Sequence, residues 1–203
     1  FGVYIHVPFC ASRCDYCAFA TWTDRHHLTS PYLDAVRAEI GRAVATGMPA
    51  ATSIFVGGGT PSMVPAAELA AVIASIPRVP GAEVTVECNP DDVTPELLRV
   101  YSDAGVDRVS IGVQSMATHV LGSLGRRHDQ RNVERAVAAV HEVGLRSFNL
   151  DLIYGAAGET IDDWHTTVTA AIALAPPHVS AYGLTIEAGT PLAEQPDRHP
   201  DDA

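Results

Sequence analysis

Short apolar runs and amphipathic segments alternate along the whole chain. An alternating apolar run at residues 3–7 predicts a first strand. Five further runs, rich in β-branched residues, predict strands at 53–56, 83–88, 108–113, 147–153 and 178–184. Apolar residues at helical spacing predict helices at about 31–44, 65–76, 95–104, 132–143 and 160–174, with a short helical segment at 118–124.

Cap and turn residues set several of the predicted boundaries. Ser30 is predicted to be the N-cap of the first helix, with Pro31 at its first helical position. Residues 77–81 predict a turn before the third strand. Because strand and helix alternate six times, we expect parallel strands joined by right-handed crossovers in a curved or barrel-like α/β domain. Local periodicity leaves a doubly wound open sheet as the alternative.

The chain has the size and composition of one globular unit. Its 203 residues are 47% hydrophobic and 18% charged, which is enough for a sizeable core. We expect residues 1–190 to form this core. The polar ending EQPDRHPDDA has no closing element, so residues 191–203 are expected to be a tail that begins a missing C-terminal region.

Composition also limits the expected cellular location and the expected kinds of partner. The sequence contains no run of eighteen apolar residues and no basic-then-apolar leader, which predicts neither a membrane span nor a signal peptide. Four cysteines, three of them clustered, are too few and too bunched for a secreted disulfide scaffold, so a cytoplasmic location is expected. The net charge of −11 argues against a nucleic-acid partner, because no cationic surface is supplied for phosphates.

Three of the four cysteines follow the first predicted strand within eight residues: Cys10, Cys14 and Cys17. Thiolates hold iron-sulfur clusters, and a four-iron cubane with three protein ligands keeps one iron open. Two alternatives stay open: a structural zinc site completed by a histidine such as His6 or His26, or a disulfide pair with a spare thiol. The lack of a second CxxC-type hook weighs against zinc, since Cys88 is remote and stands alone.

Glycines and polar side chains follow the other predicted strands. The loop at 57–61, GGGTP, has neither the lysine of a phosphate-binding loop nor a GxGxxG pattern, and it allows close approach of backbone to a ligand. Glu87, Gln114 and Asp151 lie at strand ends, where a buried polar group needs a partner or a ligand. In parallel barrels ligands bind at such ends, so these groups are expected at one mouth, together with the planar guanidinium of Arg126.

Four further residues are expected to have structural roles, and for two of them contact with a ligand is the alternative. His6 alternates with apolar neighbours and is predicted to be a satisfied buried histidine, and Cys88 a small buried hydrophobe. Tyr4 and Tyr16 flank the cysteine loop, where they either pack or contact a ligand.

Taken together, the motifs resemble the radical S-adenosylmethionine (SAM) family, in the branch that holds the HemW heme chaperones and the HemN oxygen-independent coproporphyrinogen III oxidases. Beyond the cysteine spacing, the segments that carry the resemblance are YIHVPFC, FVGGGTPS, VECNPDD, RVSIGVQS, LGRRHD, NLDLIYG and SAYGLTIEAGTPL. The resemblance implies a partial (β/α)6 barrel. It implies that Cys10, Cys14 and Cys17 hold a [4Fe-4S] cluster whose fourth iron is chelated by SAM.

The resemblance also implies roles for other positions. Three residues would meet the methionine part of SAM: Gly58, Gly59 and Thr60. Four more would line its site: Glu87, Gln114, Arg126 and Asp151. Tyr4 would lie near the cofactor. In this family an electron from the cluster can cleave SAM to a 5′-deoxyadenosyl radical, while the protein supplies placement and exclusion of water.

Phe19 separates the two branches. The oxidases resemble CxxxCxxCxC, and this chain has Phe19 where their further cysteine stands. The resemblance therefore favours the chaperone branch and implies heme as cargo, heme-acceptor proteins and an electron donor as partners. An oxidase-like radical enzyme of porphyrin biosynthesis is the alternative. Asp15 and Ala18 depart from residues more usual in the branch, and the C-terminal domain with its HNxxYW motif is not in the sequence, which predicts that the chain is the SAM-binding core.

Overall fold

Six parallel strands pair in the order in which they occur along the chain. The computed structural model describes residues 1–200. The strands are β1 (Gly2–Val7), β2 (Ala51–Gly58), β3 (Arg78–Cys88), β4 (Arg108–Gln114), β5 (Ser147–Tyr154) and β6 (His178–Gly183). A doubly wound sheet reverses its strand order at a switch point, and this sheet does not. The fold is therefore a partial (β/α)6 barrel, as predicted, with β1 and β6 at its two edges.

Helices connect consecutive strands on the outside of the sheet. They are α1 (Thr29–Ala45), α2 (Ala66–Ala74), α3 (Pro95–Asp103), α5 (Gln130–Val143) and α6 (Ile161–Ala173), with the short α4 (Thr118–Ser123) between β4 and α5. Thr94 caps α3 through the Leu97 amide, and Asp129 and Thr160 open α5 and α6 with capping boxes. Across residues 1–200, no helix combines the length and the apolar character that crossing a membrane requires.

Two predicted boundaries are wrong. Helix α1 begins at Thr29 with Leu28 as its N-cap and no side-chain cap bond, so Ser30 lies within the helix. The Ser30 hydroxyl donates to Glu68 Oε1 (3.0 Å) and does not accept from a backbone amide as a cap would. Strand β3 begins at Arg78, so the turn predicted at 77–81 is an irregularity within the strand. Pairing shifts there from Ala51 with Arg78 to Ser53 with Glu83. Gly81 adopts a φ of +79°, which bends the backbone without ending the strand.

The two faces of the sheet differ in chemistry. The outward face packs against the helices and forms the core, with fully buried Val86, Ile111 and Leu150 among its members. Successive side chains of a strand point to opposite faces, so the polar residues between these apolar ones lie on the inner face. Glu87, Ser110 and Asp151 are there, where the interior of the barrel gives them hydrogen-bond partners.

The end of the chain folds back on the barrel. Two short 3-10 turns, Leu192–Glu194 and Pro196–Arg198, occur within the stretch that the sequence predicts to be a polar tail. Leu192 is buried. Residues 201–203, the last part of the predicted tail, lie outside the described residues.

Replacing Leu150 with alanine should lower the free energy of unfolding by about 2–5 kcal/mol, because the fully buried side chain leaves a cavity against the helices. Chemical denaturation of the purified chain measures this change. Ile172→Ala is the matched control, since its side chain is exposed on α6 and its removal should change stability by less than about 0.5 kcal/mol. Equal effects of the two substitutions would contradict the assignment of β5 to the core.

Candidate functional site

A cavity of about 830 Å³ opens at the carboxyl ends of the strands. The cysteine loop, the glycine loop and the strand-end side chains meet on its wall. Nearly all of the predicted site residues line it: Cys10, Cys14, Cys17, Gly58, Gly59, Thr60, Glu87, Gln114, Arg126 and Asp151. Parallel strands bring these residues together because their carboxyl ends share one edge of the sheet.

The cysteine loop leaves β1 and is held at both ends by backbone hydrogen bonds. The Cys10 amide donates to the Trp22 carbonyl (3.1 Å), and the Trp22 amide donates to the Pro8 carbonyl (2.7 Å). Inside the loop, the Cys17 amide donates to the Cys14 carbonyl (3.1 Å). These bonds close the loop into a compact turn in which the three cysteines are free thiols, each partly exposed to the cavity.

Two side chains donate to the sulfur atoms. The Thr60 hydroxyl lies 3.6 Å from Cys10 Sγ, and Arg126 Nη1 lies 3.6 Å from Cys14 Sγ. Burial raises the pKa of the Cys10 and Cys17 thiols, so both are protonated near neutral pH without a ligand. A metal would displace these protons, because thiolates are the ligating form.

The histidines required by a zinc site have other partners. His6 Nε2 donates to the Ala20 carbonyl (2.8 Å), and His26 Nε2 donates to the Cys10 carbonyl (3.0 Å). In the part of the chain from residue 1 to residue 200, no three His, Cys, Asp or Glu side chains are arranged around a position for a single metal ion. The zinc interpretation therefore has no completed ligand set in this structure.

The glycine loop lies directly against the cysteine loop. The Gly59 amide donates to the Val7 carbonyl (2.7 Å), and the Thr60 amide donates to the Phe9 carbonyl (2.7 Å). A Cβ on Gly59 would lie 2.6 Å from the Phe9 carbonyl oxygen and 3.0 Å from Cys10 Sγ. Only glycine allows this approach, so the loop forms a backbone cradle beside the thiols.

Glu87 projects from β3 into the cavity beneath the glycine loop. Its Oε2 accepts a hydrogen bond from the Gly58 amide (3.1 Å). Burial raises the pKa of this carboxyl group to about 7, and the negative charge of Asp151 adds to the rise, while the Gly58 bond opposes it. Glu87 therefore changes charge near neutral pH and is sensitive to a cationic ligand.

Asp151 is held by a polar network that the sequence interpretation missed. Its Oδ2 accepts from the Ser110 hydroxyl (2.7 Å), and its Oδ1 accepts from Asn149 Nδ2 (2.8 Å). Asn149 and Asp151 are two residues apart on one strand and therefore share its inner face. That spacing is the signal in the sequence that could have identified Asn149. The network fixes the direction in which the carboxylate points.

Arg126 is anchored between the cysteine loop and the ends of β3 and β4. Its Nη2 donates to Asn89 Oδ1 (2.8 Å) and to the Gly112 carbonyl (3.0 Å), while Nη1 faces Cys14. Gln114 ends β4 with a φ of +64°, a left-handed conformation that is unusual for a residue other than glycine. Such strain is found at sites where the surrounding structure holds a side chain in a required direction.

Tyr4 is not among the residues that line the cavity. Its register partner in β2 is Phe55, two pairs before Gly57. Burial and the negative charge of Glu87 raise the pKa of the Tyr4 hydroxyl, so Tyr4 lies within electrostatic reach of a predicted site residue. Its hydroxyl is 3.0 Å from His6 Nδ1, and it lines a separate cavity of about 260 Å³ between β1 and α1. Packing, the alternative reading of Tyr4, agrees with this position, whereas Tyr16 does line the main cavity.

Comparison with known proteins identifies relatives of the whole chain. The heme chaperone HemW of Mycobacterium tuberculosis (strain CDC 1551 / Oshkosh) is 42% identical over 96% of this chain and 52% of its own length. HemW of Escherichia coli (strain K12) is 38% identical over 99% of this chain and 55% of its own length. The chain thus spans about half the length of the curated relatives it matches.

Solved structures show the same fold. The radical SAM enzyme HemN, the coproporphyrinogen III oxidase of Escherichia coli, superimposes with a TM-score of 0.86 at 26% identity, covering 99% of this chain and 47% of that one. The methyltransferase TsrM from Kitasatospora setae has a TM-score of 0.69 at 20% identity, covering 94% of this chain and 38% of that one.

The sequence profile of the Radical SAM superfamily matches residues 4–171, from β1 into α6. This range contains the three cysteines, the glycine loop and every strand-end residue described above. The match covers most of the chain and agrees with the fold and with the cavity at its mouth. The chain belongs to the radical SAM superfamily.

Proposed function

We propose that this chain is the cofactor-binding core of a HemW-like heme chaperone, which binds heme and transfers it to acceptor proteins. The observation that carries the proposal is the 42% identity to HemW of Mycobacterium tuberculosis over 96% of the chain. Phe19 supports it, because the oxidase pattern has a cysteine at that position. The proposed partners are heme, heme-acceptor proteins and an electron donor. The free thiols suit a reducing compartment such as the cytoplasm.

Cys10, Cys14 and Cys17 would hold a [4Fe-4S] cluster. The donor set fits this group, since three free thiols face one cavity and no further cysteine lies on its wall except the buried Cys88. Gly59 leaves open the space beside Cys10 that a side chain would fill. The cluster and SAM together supply one-electron and radical chemistry when bound.

SAM would bind between the glycine loop and the strand ends. It carries an ammonium group, a sulfonium group and a carboxylate, and the cavity offers partners of both signs. Glu87 and Asp151 are the acidic partners, and Arg126 is the basic one. The cavity, about 830 Å³, is within the range of small-molecule sites, roughly 300–1,000 Å³.

The rim of the cavity supports an apolar ligand beside SAM. Phe19 is 64% exposed and Tyr182 is also exposed, and both side chains line the opening. Exposed aromatic side chains at a cavity mouth are suited to contact a flat apolar molecule such as a porphyrin. The strand ends contribute the polar side chains Glu87, Gln114 and Asp151 to the same cavity.

An oxidase-like radical enzyme is the second candidate. The structural match to HemN, with a TM-score of 0.86, favours it. The lower identity, 26% against 42% for HemW, and Phe19 make it the less supported function.

Anaerobic reconstitution followed by heme titration tests the proposal. We expect about four irons and four sulfides per chain and stoichiometric heme binding by the reconstituted protein. Cys14→Ser should remove most of the iron, whereas Cys88→Ala should retain it, because Cys88 is a buried core residue of β3 and not part of the cysteine loop.

Three results would contradict the proposal in different ways. Zinc without sulfide would favour a structural zinc module. Decarboxylated product from coproporphyrinogen III, SAM and reductant would favour the oxidase. A full cluster without heme binding, in the longest available form of the protein, would exclude a heme chaperone.

Gly59→Ala should reduce cluster retention strongly. The added Cβ would lie 2.6 Å and 2.8 Å from two backbone carbonyl oxygens, those of Phe9 and Val7, which cannot move without displacing the cysteine loop. Iron and sulfide per chain after reconstitution measure the effect. Gly41→Ala makes the same chemical change within α1 where nothing lies within 4 Å, so it should retain the cluster and stabilise the fold by about 0.5–1 kcal/mol. Normal iron content in Gly59→Ala would contradict the cradle.

SAM affinity should increase as pH rises through about 7. The pKa of Glu87 is raised to about 7, so below that pH the carboxyl group is neutral and its attraction for a cationic ligand is lost. The dissociation constant should therefore fall by up to about tenfold per pH unit on the acid side and level off above the pKa. Calorimetric titration of the reconstituted protein at several pH values measures it.

Glu87→Gln should bind SAM more weakly and lose this part of the pH dependence. Glu134→Gln, on the exposed face of α5, is the control and should behave as the wild type. An unchanged pH profile in Glu87→Gln would show that another group is responsible.

A further inference from the structure

Residues 190–199, here called the strap, pack onto the cysteine loop. Thr190 and Leu192 are buried, Leu192 at 2% exposure. The Leu192 amide donates to the Asp15 carbonyl (3.0 Å), which joins the strap to the middle of the loop. His199 Nε2 donates to the Leu192 carbonyl (3.0 Å) and closes the strap on itself. This segment is therefore folded against the site.

Arg198 connects the strap to two other segments. Its Nη2 donates to Asp15 Oδ2 (2.8 Å) and to the Ser123 carbonyl at the end of α4, while Nη1 donates to Gln195 Oε1 (2.7 Å). The Arg198 and Asp15 side chains are 26% and 31% exposed, so the ion pair is partly shielded from water. A shielded pair with a second backbone acceptor is held more firmly than a pair on the open surface.

The two segments that Arg198 joins carry facing groups of the candidate site. Asp15 lies between Cys14 and Tyr16, and Ser123 lies three residues before Arg126. Arg126 Nη1 lies 3.6 Å from Cys14 Sγ. Gly125 lies between Ser123 and Arg126, and a Cβ on it would lie 3.3 Å from the Asp15 amide nitrogen. The cysteine loop is therefore in close contact with residues 123–126, here called the Arg126 turn. Separation of this contact would move Cys14 away from Arg126.

We propose that the strap holds the cysteine loop against the Arg126 turn, and that Arg198 is a positioning residue for the cluster site. This inference rests on the proposed function. Arg198 is the cation that pairs with Asp15 in the middle of the cysteine loop.

Hydrogen exchange of the cluster-free full chain tests the strap independently of the cluster. Arg198→Met removes the ion pair and the bond to Ser123 while keeping an unbranched apolar stem. We expect the Cys17 and Leu192 amides to exchange about fivefold faster, the factor that corresponds to an interaction of about 1 kcal/mol. Amides of α3, remote from the strap, should keep their wild-type rates. Arg198→Lys should restore only part of the protection, because one ammonium group cannot reproduce the planar fork.

Iron release to a chelator after reconstitution gives the second readout. Arg198→Met should release iron about fivefold faster than the wild type, since opening of the loop exposes the cluster. Arg37→Met is the matched control: Arg37 forms an exposed pair with Asp34 on α1 (3.9 Å), and its loss should leave the release rate unchanged. Asp15→Asn should act in the same direction with a smaller effect, because Arg198 keeps its bond to the Ser123 carbonyl, and the double variant should be no worse than Arg198→Met.

The outcomes separate the two proposals. Wild-type protein that takes up no iron and sulfide would reject the proposed function, while faster exchange in Arg198→Met would still support the strap. Unchanged exchange and iron release in Arg198→Met, or strictly additive effects of the two substitutions, would overturn the strap.

Discussion

The register of the parallel sheet is the constraint on which the site depends. Glu87 pairs with Ser110 across β3 and β4, and Gly112 pairs with Asp151 across β4 and β5. A shift of one residue in either strand would turn these polar side chains outward into the helices and bring valines and isoleucines into the cavity. The apolar outer face, buried against the helices, prevents such a shift. Hydrophobic packing on one side of the sheet thus fixes the chemistry on the other.

The acidic groups of the cavity are satisfied to different degrees. Both carboxylate oxygens of Asp151 accept hydrogen bonds from side chains, whereas Glu87 has one backbone donor, and burial raises its pKa to about 7. Ionising Glu87 without a ligand is therefore costly, and a cation in the cavity would offset that cost. Protein side chains donate hydrogen bonds to both oxygens of Asp151, whereas Glu87 has one backbone donor and can gain a further partner from a ligand. This difference explains why Glu87, more than Asp151, should make SAM affinity depend on pH.

Sequence patterns predicted the parts of the structure that depend on local chemistry. All six strands lie where apolar periodicity placed them, although the edge strand β6 is largely exposed. The prediction of Ser30 as the N-cap of α1 was wrong, since the helix already begins at Thr29. The Ser30 hydroxyl instead donates to Glu68 on α2, a contact that local sequence does not encode. Tyr4 was placed near the cofactor by the family resemblance, and only the register with Phe55 shows that it lies two pairs before Gly57, outside the lining of the main cavity. The spacing of two residues places Asn149 on the same face of β5 as Asp151, but the sequence does not show the Ser110 hydroxyl that joins the two side chains into one network.

The strap is the part of the structure that local sequence patterns predict least well. Asp15 and Arg198 are 183 positions apart, and each alone is an ordinary charged residue in a polar segment. The tail is rich in proline and charged residues, as a linker would be, but Leu192 within it is buried and anchors it to the barrel. If the strap holds the loop as proposed, the functional unit extends at least to His199, beyond the boundary expected at residue 190. A chain cut at that boundary would keep all six strands and all three cysteines. It would lose the contacts through which residues 190–199 tie the middle of the cysteine loop to the end of α4.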